Sequence, residues 1–187
     1  MHRVNLLVGT DSDEDLVRRV RLGDREAERM LILRLYPGVY SLASRLIRDQ
    51  DSTRDATQEA FLKAFSKLHQ YDGTHRFSAW VFKILVNLVR DLARRKGRVI
   101  AMELDPDDWP CHAPIPVDAA IREEEADRVR CEVEKLPEAM RVALLLHFQE
   151  GFNGKEIAYA LGITHDAARL KMSRAIAKLR QRMGDGG

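Results

Sequence analysis

Residues 76–98 read RFSAWVFKILVNLVRDLARRKGR, and this stretch predicts one long amphipathic helix. Its apolar side chains recur at the spacing of one helix face, namely Trp80, Val81, Ile84, Leu85, Leu88 and Leu92. Its polar side chains recur on the opposite face, namely Lys83, Asn87, Arg90, Asp91 and Arg94. Residues 76–100 hold seven Lys or Arg and one Asp, a net charge of +6. Such a helix suits a polyanionic partner, although a solvated surface helix is the simpler interpretation of a basic stripe alone.

The composition indicates a globular protein of one medium domain or two small ones. The chain has 187 residues, of which 45% are hydrophobic and 32% are charged. The longest apolar run, residues 142–146, is too short to span a membrane, and the N-terminus lacks the long apolar segment and cleavage site of a signal peptide. Cys111 and Cys131 make no disulfide framework. We therefore expect a cytoplasmic protein without membrane insertion.

Charge is segregated along the chain although its net charge is only +2. Residues 101–127 hold nine acidic residues and one arginine, a net charge of −8. Four of the six prolines lie within residues 99–118, at Pro106, Pro110, Pro114 and Pro116. Because proline and acidic residues at this density disfavour a packed core, residues 99–118 are predicted to form a flexible linker.

The rest of the sequence has helical periodicity and no strand alternation, so the predicted fold class is all-α. We expect two small helical domains, at residues 11–98 and 119–187, joined by the acidic, proline-rich linker. Residues 1–10 are expected to form an N-terminal tail.

Turn and cap residues divide the first domain into several predicted helices. Asp24 is expected to cap a helix that ends near Leu35, and Pro37 is expected to open a separate helix after it. Ser52 or Thr53 is expected to begin the next helix.

Residues 151–183 have the pattern of a DNA-binding helix-turn-helix. Asn153 is expected to cap the first helix, Gly162 to take the left-handed conformation of a sharp turn, and Thr164 to cap the second helix. The second helix is basic, which is typical of a helix that enters the major groove. A helical hairpin that serves only for packing is the alternative.

Four stretches of the chain carry a family resemblance. DEDLVRRVRLGDREA at residues 13–27, DSTRDATQEAFLKAF at residues 51–65, FSAWVFKILVNLVRDLARRK at residues 77–96 and the helix-turn-helix region at residues 136–180 occur in this order. Together they resemble a group IV, or extracytoplasmic-function, RNA polymerase sigma factor of the bacterial sigma-70 family. In that family the four stretches are, respectively, the opening region, the polymerase-binding helix, the helix that melts promoters and reads their −10 element, and the domain that reads the −35 element. The resemblance covers nearly the whole chain outside the first ten residues and the linker.

The resemblance implies three partners: core RNA polymerase, bound at the clamp of its large subunit, promoter DNA, and an anti-sigma factor that holds the chain inactive. The implied polymerase-binding residues are Asp55, Gln58, Glu59 and Leu62. An acidic face with a single leucine also suits a cationic protein partner by itself. The same resemblance implies that the linker threads towards the polymerase active-site and RNA-exit channels, and a plain solubilising spacer is the equal alternative.

The implied −10 contacts lie on the helix predicted over residues 76–98. Asn87 carries the donors and the acceptor that reading a base edge requires. The cations Lys83, Arg90 and Arg94 are expected to hold phosphates, and Asp91 to orient a neighbouring base or cation.

The implied −35 contacts are Arg169, Leu170, Lys171, Ser173 and Arg174. The three basic residues match promoter-contacting positions of the family, whereas Leu170 departs from its usual small polar residue. An exposed leucine suits a thymine methyl group or a protein partner. Asp166 also departs from the family pattern and disfavours a nearby phosphate.

Two other function classes remain open. A helix-turn-helix regulator that recruits no polymerase explains residues 119–184 but leaves residues 51–96 unexplained. An enzyme is disfavoured because the histidines are scattered and no zinc-protease motif, phosphate loop or nucleophile elbow is present. Cys111, His112 and Cys131 match no standard metal spacing, so we expect no metal and no cofactor, and a redox role for the thiols stays open.

Overall fold

The computed structural model describes residues 11–47, 49–95 and 123–184. Within these ranges it contains α-helices, a one-turn 3₁₀ helix at Leu68–Gln70, and no strand. The α-helices are α1 (Asp13–Arg21), α2 (Arg25–Leu46), α3 (Gln50–Ser66), α4 (Phe77–Arg95), α5 (Glu123–Glu134), α6 (Glu138–Phe148), α7 (Gly154–Leu161) and α8 (His165–Gly184). The predicted all-α fold with a C-terminal helix-turn-helix is confirmed. The predicted tail at residues 1–10 and the predicted linker at residues 99–118 lie outside the described residues.

The helix boundary predicted at Pro37 is wrong. Helix α2 continues past Leu35 and through Pro37 to Leu46. A proline inside a helix costs about 3 kcal/mol, because it removes a hydrogen bond and crowds the preceding turn. Both halves of α2 bury one continuous apolar face, formed by Ala27, Leu31, Leu35, Val39, Leu42 and Ala43. This burial on the neighbouring helices offsets the cost and keeps the helix whole.

The predicted start of the next helix is also wrong. Asp49 caps α3, and its carboxylate accepts a hydrogen bond from the Ser52 amide at 2.7 Å. Thr53 is buried, and its hydroxyl donates to the carbonyl of Asp49 at 2.8 Å. Aspartate, serine and threonine are all good caps; the structure uses Asp49, and the Thr53 hydroxyl turns back onto the carbonyl of Asp49.

Helix α4 lies at the centre of the molecule, packed against α1, α2 and α3 and also against α7. Its buried residues are Phe77, Ser78, Ala79, Val81, Phe82, Leu85, Val86, Leu88 and Val89. One apolar cluster therefore runs from the first three helices through α4 into α6 and α7. A helix that is apolar around most of its circumference is a core helix, so the single apolar stripe predicted from sequence is incomplete.

The second domain is closed by α8, which packs against α5, α6 and α7. A separate small cluster of Leu136, Met140, Leu144 and Ala175 joins α6 to α8. The helix-turn-helix α7–α8 is thus held on one side by this cluster and on the other by the shared core.

Candidate nucleic-acid and protein interfaces

The polar residues predicted on α4 fall into two groups. Asn87, Asp91 and Arg94 are exposed, and Arg94 pairs with Asp91 one helical turn away. Lys83 and Arg90 are half-buried. The structure therefore divides one predicted face into an open strip and a covered strip.

The covered strip of α4 faces α7. The ammonium nitrogen of Lys83 lies 4.0 Å from the centre of the Tyr159 ring, a cation–π contact. The Arg90 guanidinium donates to the carbonyl oxygen of Leu161 at 2.6 Å. Leu161 is the last residue of α7, where backbone carbonyls lack helical partners and the helix dipole favours a cation.

Arg76, just before α4, makes several polar contacts with the second domain. It pairs with the carboxylate of Glu156 at 2.7 Å and donates to the carbonyl oxygen of Gly151 at 2.7 Å. Glu156 is buried and also accepts from the Asn153 amide at 2.8 Å, which completes the capping box of α7. Sequence reasoning missed this pair, and the only signal for it was a glutamate three residues after a predicted cap.

Aromatic contacts reinforce this interface. Phe82 meets Phe152 edge-on with ring centres 5.6 Å apart, and both side chains are about 1% exposed. The His75 ring stacks on Tyr159 with centres 4.0 Å apart. The apolar side of α4 that sequence periodicity did not identify is therefore the side that carries the second domain.

The loop before α4 is held by its own hydrogen bonds. The buried Tyr71 donates from its hydroxyl to the carbonyl oxygen of His75 at 2.6 Å, and burial raises the pKa of Tyr71 to about 12. The Asp72 carboxylate accepts from the Thr74 hydroxyl at 2.7 Å and from the Thr74 amide at 3.0 Å, which lowers the pKa of Asp72. Arg21 of α1 donates to the carbonyl of Tyr71. The loop thus presents a defined backbone at the start of α4.

The predicted polymerase-binding residues form one exposed face of α3. Asp55, Gln58, Glu59 and Leu62 are all exposed, and Leu62 is 63% exposed. They line a shallow groove of about 550 Å³. A second cavity of about 230 Å³ lies between α3 and α4, and Asp55 and Glu59 share it with Asp91. The structure therefore brings the two predicted sites of the first domain side by side.

The helix-turn-helix has the predicted local geometry. The Asn153 side chain accepts from the amides of Lys155 and Glu156 at 2.9 and 3.1 Å. Gly162 has φ 62° and ψ 38°, the left-handed conformation that glycine adopts without strain. The Thr164 hydroxyl accepts from the Ala167 amide at 3.2 Å and caps α8. These three predicted turn and cap assignments are confirmed.

The candidate −35 residues lie on the outer side of α8. Arg169, Leu170, Ser173 and Arg174 are exposed, with Leu170 50% exposed, and Lys171 is half-buried. Asp166 is also exposed, in the first turn of α8. The basic surface of α8 therefore stays open in this structure.

Among the described residues, no three His, Cys, Asp or Glu side chains are grouped closely enough to hold a metal ion. Cys131 is exposed and free, whereas Cys111 and His112 lie outside the described residues. Of the helices described, none is long and apolar enough to cross a membrane.

Comparison with known proteins gives two family matches. Residues 31–99 match sigma-70 region 2, and residues 126–179 match sigma-70 region 4. The ECF RNA polymerase sigma-E factor of Escherichia coli K12 is 30% identical over 173 residues, which cover 88% of this chain and 90% of that protein. The RNA polymerase sigma-H factor of Pseudomonas aeruginosa is 29% identical over 174 residues, which cover 88% of this chain and 90% of that protein.

Two solved structures have a similar fold. CnrH in complex with the cytosolic domain of CnrY matches with a TM-score of 0.62 and 25% identity, over 95% of this chain and 100% of that one. The sigma factor RpoE in complex with the anti-sigma factor NepR from Bartonella quintana matches with a TM-score of 0.60 and 20% identity, over 85% of this chain and 98% of that one.

Proposed function

Because the chain belongs to the extracytoplasmic-function sigma factors of the sigma-70 family, it is a transcription initiation factor, and we propose that α3 binds core RNA polymerase, α4 reads the −10 element and α8 reads the −35 element. The observation that carries this proposal is the acidic face of α3 directly beside the open polar strip of α4. A regulator that recruits no polymerase has no use for that face, and the match to sigma-70 region 2 disfavours this alternative.

The proposed polymerase contact is the α3 face of Asp55, Gln58, Glu59 and Leu62, with the clamp of the large subunit as its partner. The exposed carboxylates suit a cationic surface and steer its approach. Leu62 loses its exposure to water on binding, which adds a hydrophobic contribution at the centre of the contact.

In the proposed −10 contact, Asn87 reads a base edge on the separated strand. Arg94 lies one step further along the open strip and contacts the phosphate backbone, and Asp91 orients either Arg94 or a neighbouring base. Lys83 and Arg90 join this contact once they leave α7. The ordered loop before α4 supplies backbone groups next to an unstacked base.

The proposed −35 contact is made by the outer side of α8 in the major groove. Arg169, Lys171 and Arg174 contact phosphates and base edges, Ser173 adds a hydroxyl, and Leu170 contacts a thymine methyl group. Its support is the exposure of this surface beside a correctly capped helix-turn-helix.

The domain assignment follows the same scheme. We assign residues 11–98 to a region 2-like domain and residues 119–187 to a region 4-like domain, with a tail at residues 1–10 and a linker at residues 99–118. The chain acts in the cytoplasm, where its polymerase and DNA are, and an anti-sigma factor holds it inactive there. The similarity to RpoE, solved with the anti-sigma factor NepR, and to CnrH, solved with CnrY, supports that partner.

Run-off transcription on a promoter library, with purified core RNA polymerase and this chain, tests the proposed function. We expect specific transcripts only when the chain is added, together with a chain–polymerase complex on gel filtration. Core polymerase alone is the control. DNA binding by the chain without a polymerase complex would contradict the proposal and favour the regulator that recruits no polymerase.

A further inference from the structure

Three cations of the first domain lie in one stripe that is spaced for a single partner. Arg76, Lys83 and Arg90 are seven residues apart, about two helical turns, so they project from the same side of the α4 segment. Each of them contacts the second domain, at Glu156, at the Tyr159 ring and at the Leu161 carbonyl, respectively. The stripe thus follows α7 from its first turn to its last residue.

The two ends of α7 are complementary to this stripe. Arg76 reaches the buried carboxylate in the first turn of α7, and Arg90 reaches the carbonyl end, where the helix dipole is negative. Between them, the Phe82–Phe152 contact excludes water. The interface therefore has an apolar centre and a charged contact at each end, as specific protein interfaces do.

A contact with α2 extends the interface between the two domains. Glu150, in the turn before α7, lies against Gly38, and a Cβ atom built at residue 38 would come within 2.2 Å of the Glu150 carboxylate oxygen. The end of the Glu150 side chain therefore packs directly on the backbone of α2 at Gly38. Residues of three elements, α2, α4 and the turn before α7, thus share one interface.

We propose that this interface is an intramolecular latch: in the free chain the second domain occupies the cationic stripe of α4, and DNA reaches that stripe only after the latch opens. Here the latch means Arg76, Lys83 and Arg90 together with Glu156, Tyr159 and Leu161. The N–H groups of Arg76 and Arg90 that bond α7 are not available to a phosphate, and α7 itself fills the space beside them. The proposal rests on the function assigned to α4 above.

The latch leaves two other surfaces open. The acidic face of α3 and the outer side of α8 are exposed while the Lys83 and Arg90 side of α4 is covered. Polymerase therefore has access to the closed chain, whereas −10 DNA reaches only the open strip of Asn87, Asp91 and Arg94. If the closed form outnumbers the open form about tenfold, the apparent affinity of the complete −10 contact falls about tenfold, since only the open fraction makes it.

The test uses variants of the second domain, outside the proposed DNA and polymerase contacts. Glu156→Gln keeps an oxygen that accepts from Asn153, so the capping box stays, but it removes the charge that Arg76 pairs with. Tyr159→Leu removes the ring beneath Lys83. Glu132→Gln is the matched control, because Glu132 of α5 pairs with Lys135 and Arg182 inside the second domain, away from α4.

Two measurements on the full chain decide the matter. We expect Glu156→Gln and Tyr159→Leu to increase the radius of gyration in small-angle X-ray scattering and to bind fluorescein-labelled random single-stranded DNA roughly three- to tenfold more tightly, the effect of losing one charge-assisted contact. Glu132→Gln should change neither. Unchanged scattering and unchanged DNA affinity in both variants would overturn the latch.

If run-off transcription fails but these variants expand the chain, the latch stands and the proposed function does not. If transcription succeeds and none of the variants expands the chain, the function stands and the latch does not.

Discussion

Asn87 is exposed on α4 between two cations that are half-buried against α7. Its amide combines a hydrogen-bond acceptor with two donors, which a base edge can use and a phosphate cannot fully use. Because it is solvent-exposed, its side chain contributes little to the stability of the helix. Its proposed role is therefore separable from folding.

Replacing Asn87 with alanine should strongly reduce promoter opening while polymerase binding persists. Loss of a base-edge contact costs about 1–3 kcal/mol, or roughly ten- to a hundredfold in open complexes. Permanganate reactivity of unpaired thymines on a promoter from the library measures this. Gln50→Ala, an exposed amide at the start of α3, is the control and should open promoters normally. Normal opening by the Asn87 variant would refute its assigned role.

Replacing Leu62 with alanine should weaken binding to core polymerase about tenfold, because roughly 1–1.5 kcal/mol of apolar burial is lost at the contact. The melting temperature should not change, since Leu62 is 63% exposed. Leu33→Ala is a closely matched control, as Leu33 is 64% exposed on α2. Competition for labelled core polymerase measures both variants. Equal affinities of the two would show that α3 is not the polymerase contact.

At the scale of the helices, side-chain caps at the N-termini make part of the stability depend on pH. Asp24 caps α2 through the amides of Glu26 and Ala27 and pairs with Arg19 at 2.8 Å. The hydrogen bond from Ala27 is the main cause, and Arg19 the second, of the lowered pKa of Asp24. A lowered pKa means that the ionised form stabilises the fold. This contribution is complete above the ordinary value of 3.8 and is lost as the pH falls through the lowered value.

Replacing Asp24 with asparagine should therefore reduce the acid sensitivity of folding. Asparagine caps a helix about as well as aspartate, so the melting temperature at pH 7 should fall only slightly, through the lost pair with Arg19. As the pH falls below 3.8, the variant should lose less stability than the parent chain. Thermal melts followed by circular dichroism across this range measure the difference. Parallel loss of stability in both proteins would contradict the assignment.

At the scale of the whole molecule, ionised Glu150 disfavours the packing of the second domain on the first, whereas Glu156 favours it. Burial raises the pKa of Glu150, so its ionised form is disfavoured in the closed chain. Closure is then strongest below the ordinary value of 4.5 and weakens as the pH rises through the raised value. Arg76 lies beside this turn, donates to the carbonyl oxygen of Glu150 at 3.3 Å and pairs with Glu156.

Replacing Glu150 with glutamine should favour the closed chain at neutral pH. The substitution removes a negative charge that is buried when the second domain packs on the first. Binding of random single-stranded DNA should become severalfold weaker, and its pH dependence above the ordinary value of 4.5 should flatten. The opposite effect is expected from Glu156→Gln, the same chemical change six residues along. Tighter DNA binding by both variants would show that Glu150 instead helps to hold the latch.

The sequence by itself determined the helical fold class, the helix-turn-helix and the family. These features depend on local relations: periodicity marks apolar residues, and a cap or a left-handed glycine acts within a few residues, as Asn153, Gly162 and Thr164 do. The matches to sigma-70 regions 2 and 4 rest on the same ordered local pattern.

Only the tertiary structure decided which helices continue past a predicted boundary and which helix faces are buried. The path of α2 through Pro37 and the burial of Phe82 both depend on what packs against them. Arg76 and its partner Glu156 are 80 residues apart in the chain, so no local pattern links them. Helical periodicity separates polar from apolar faces, but it does not tell which polar face meets solvent and which meets another helix. That choice is made by the packing of the second domain on α4, where long-range burial and charge pairing act together.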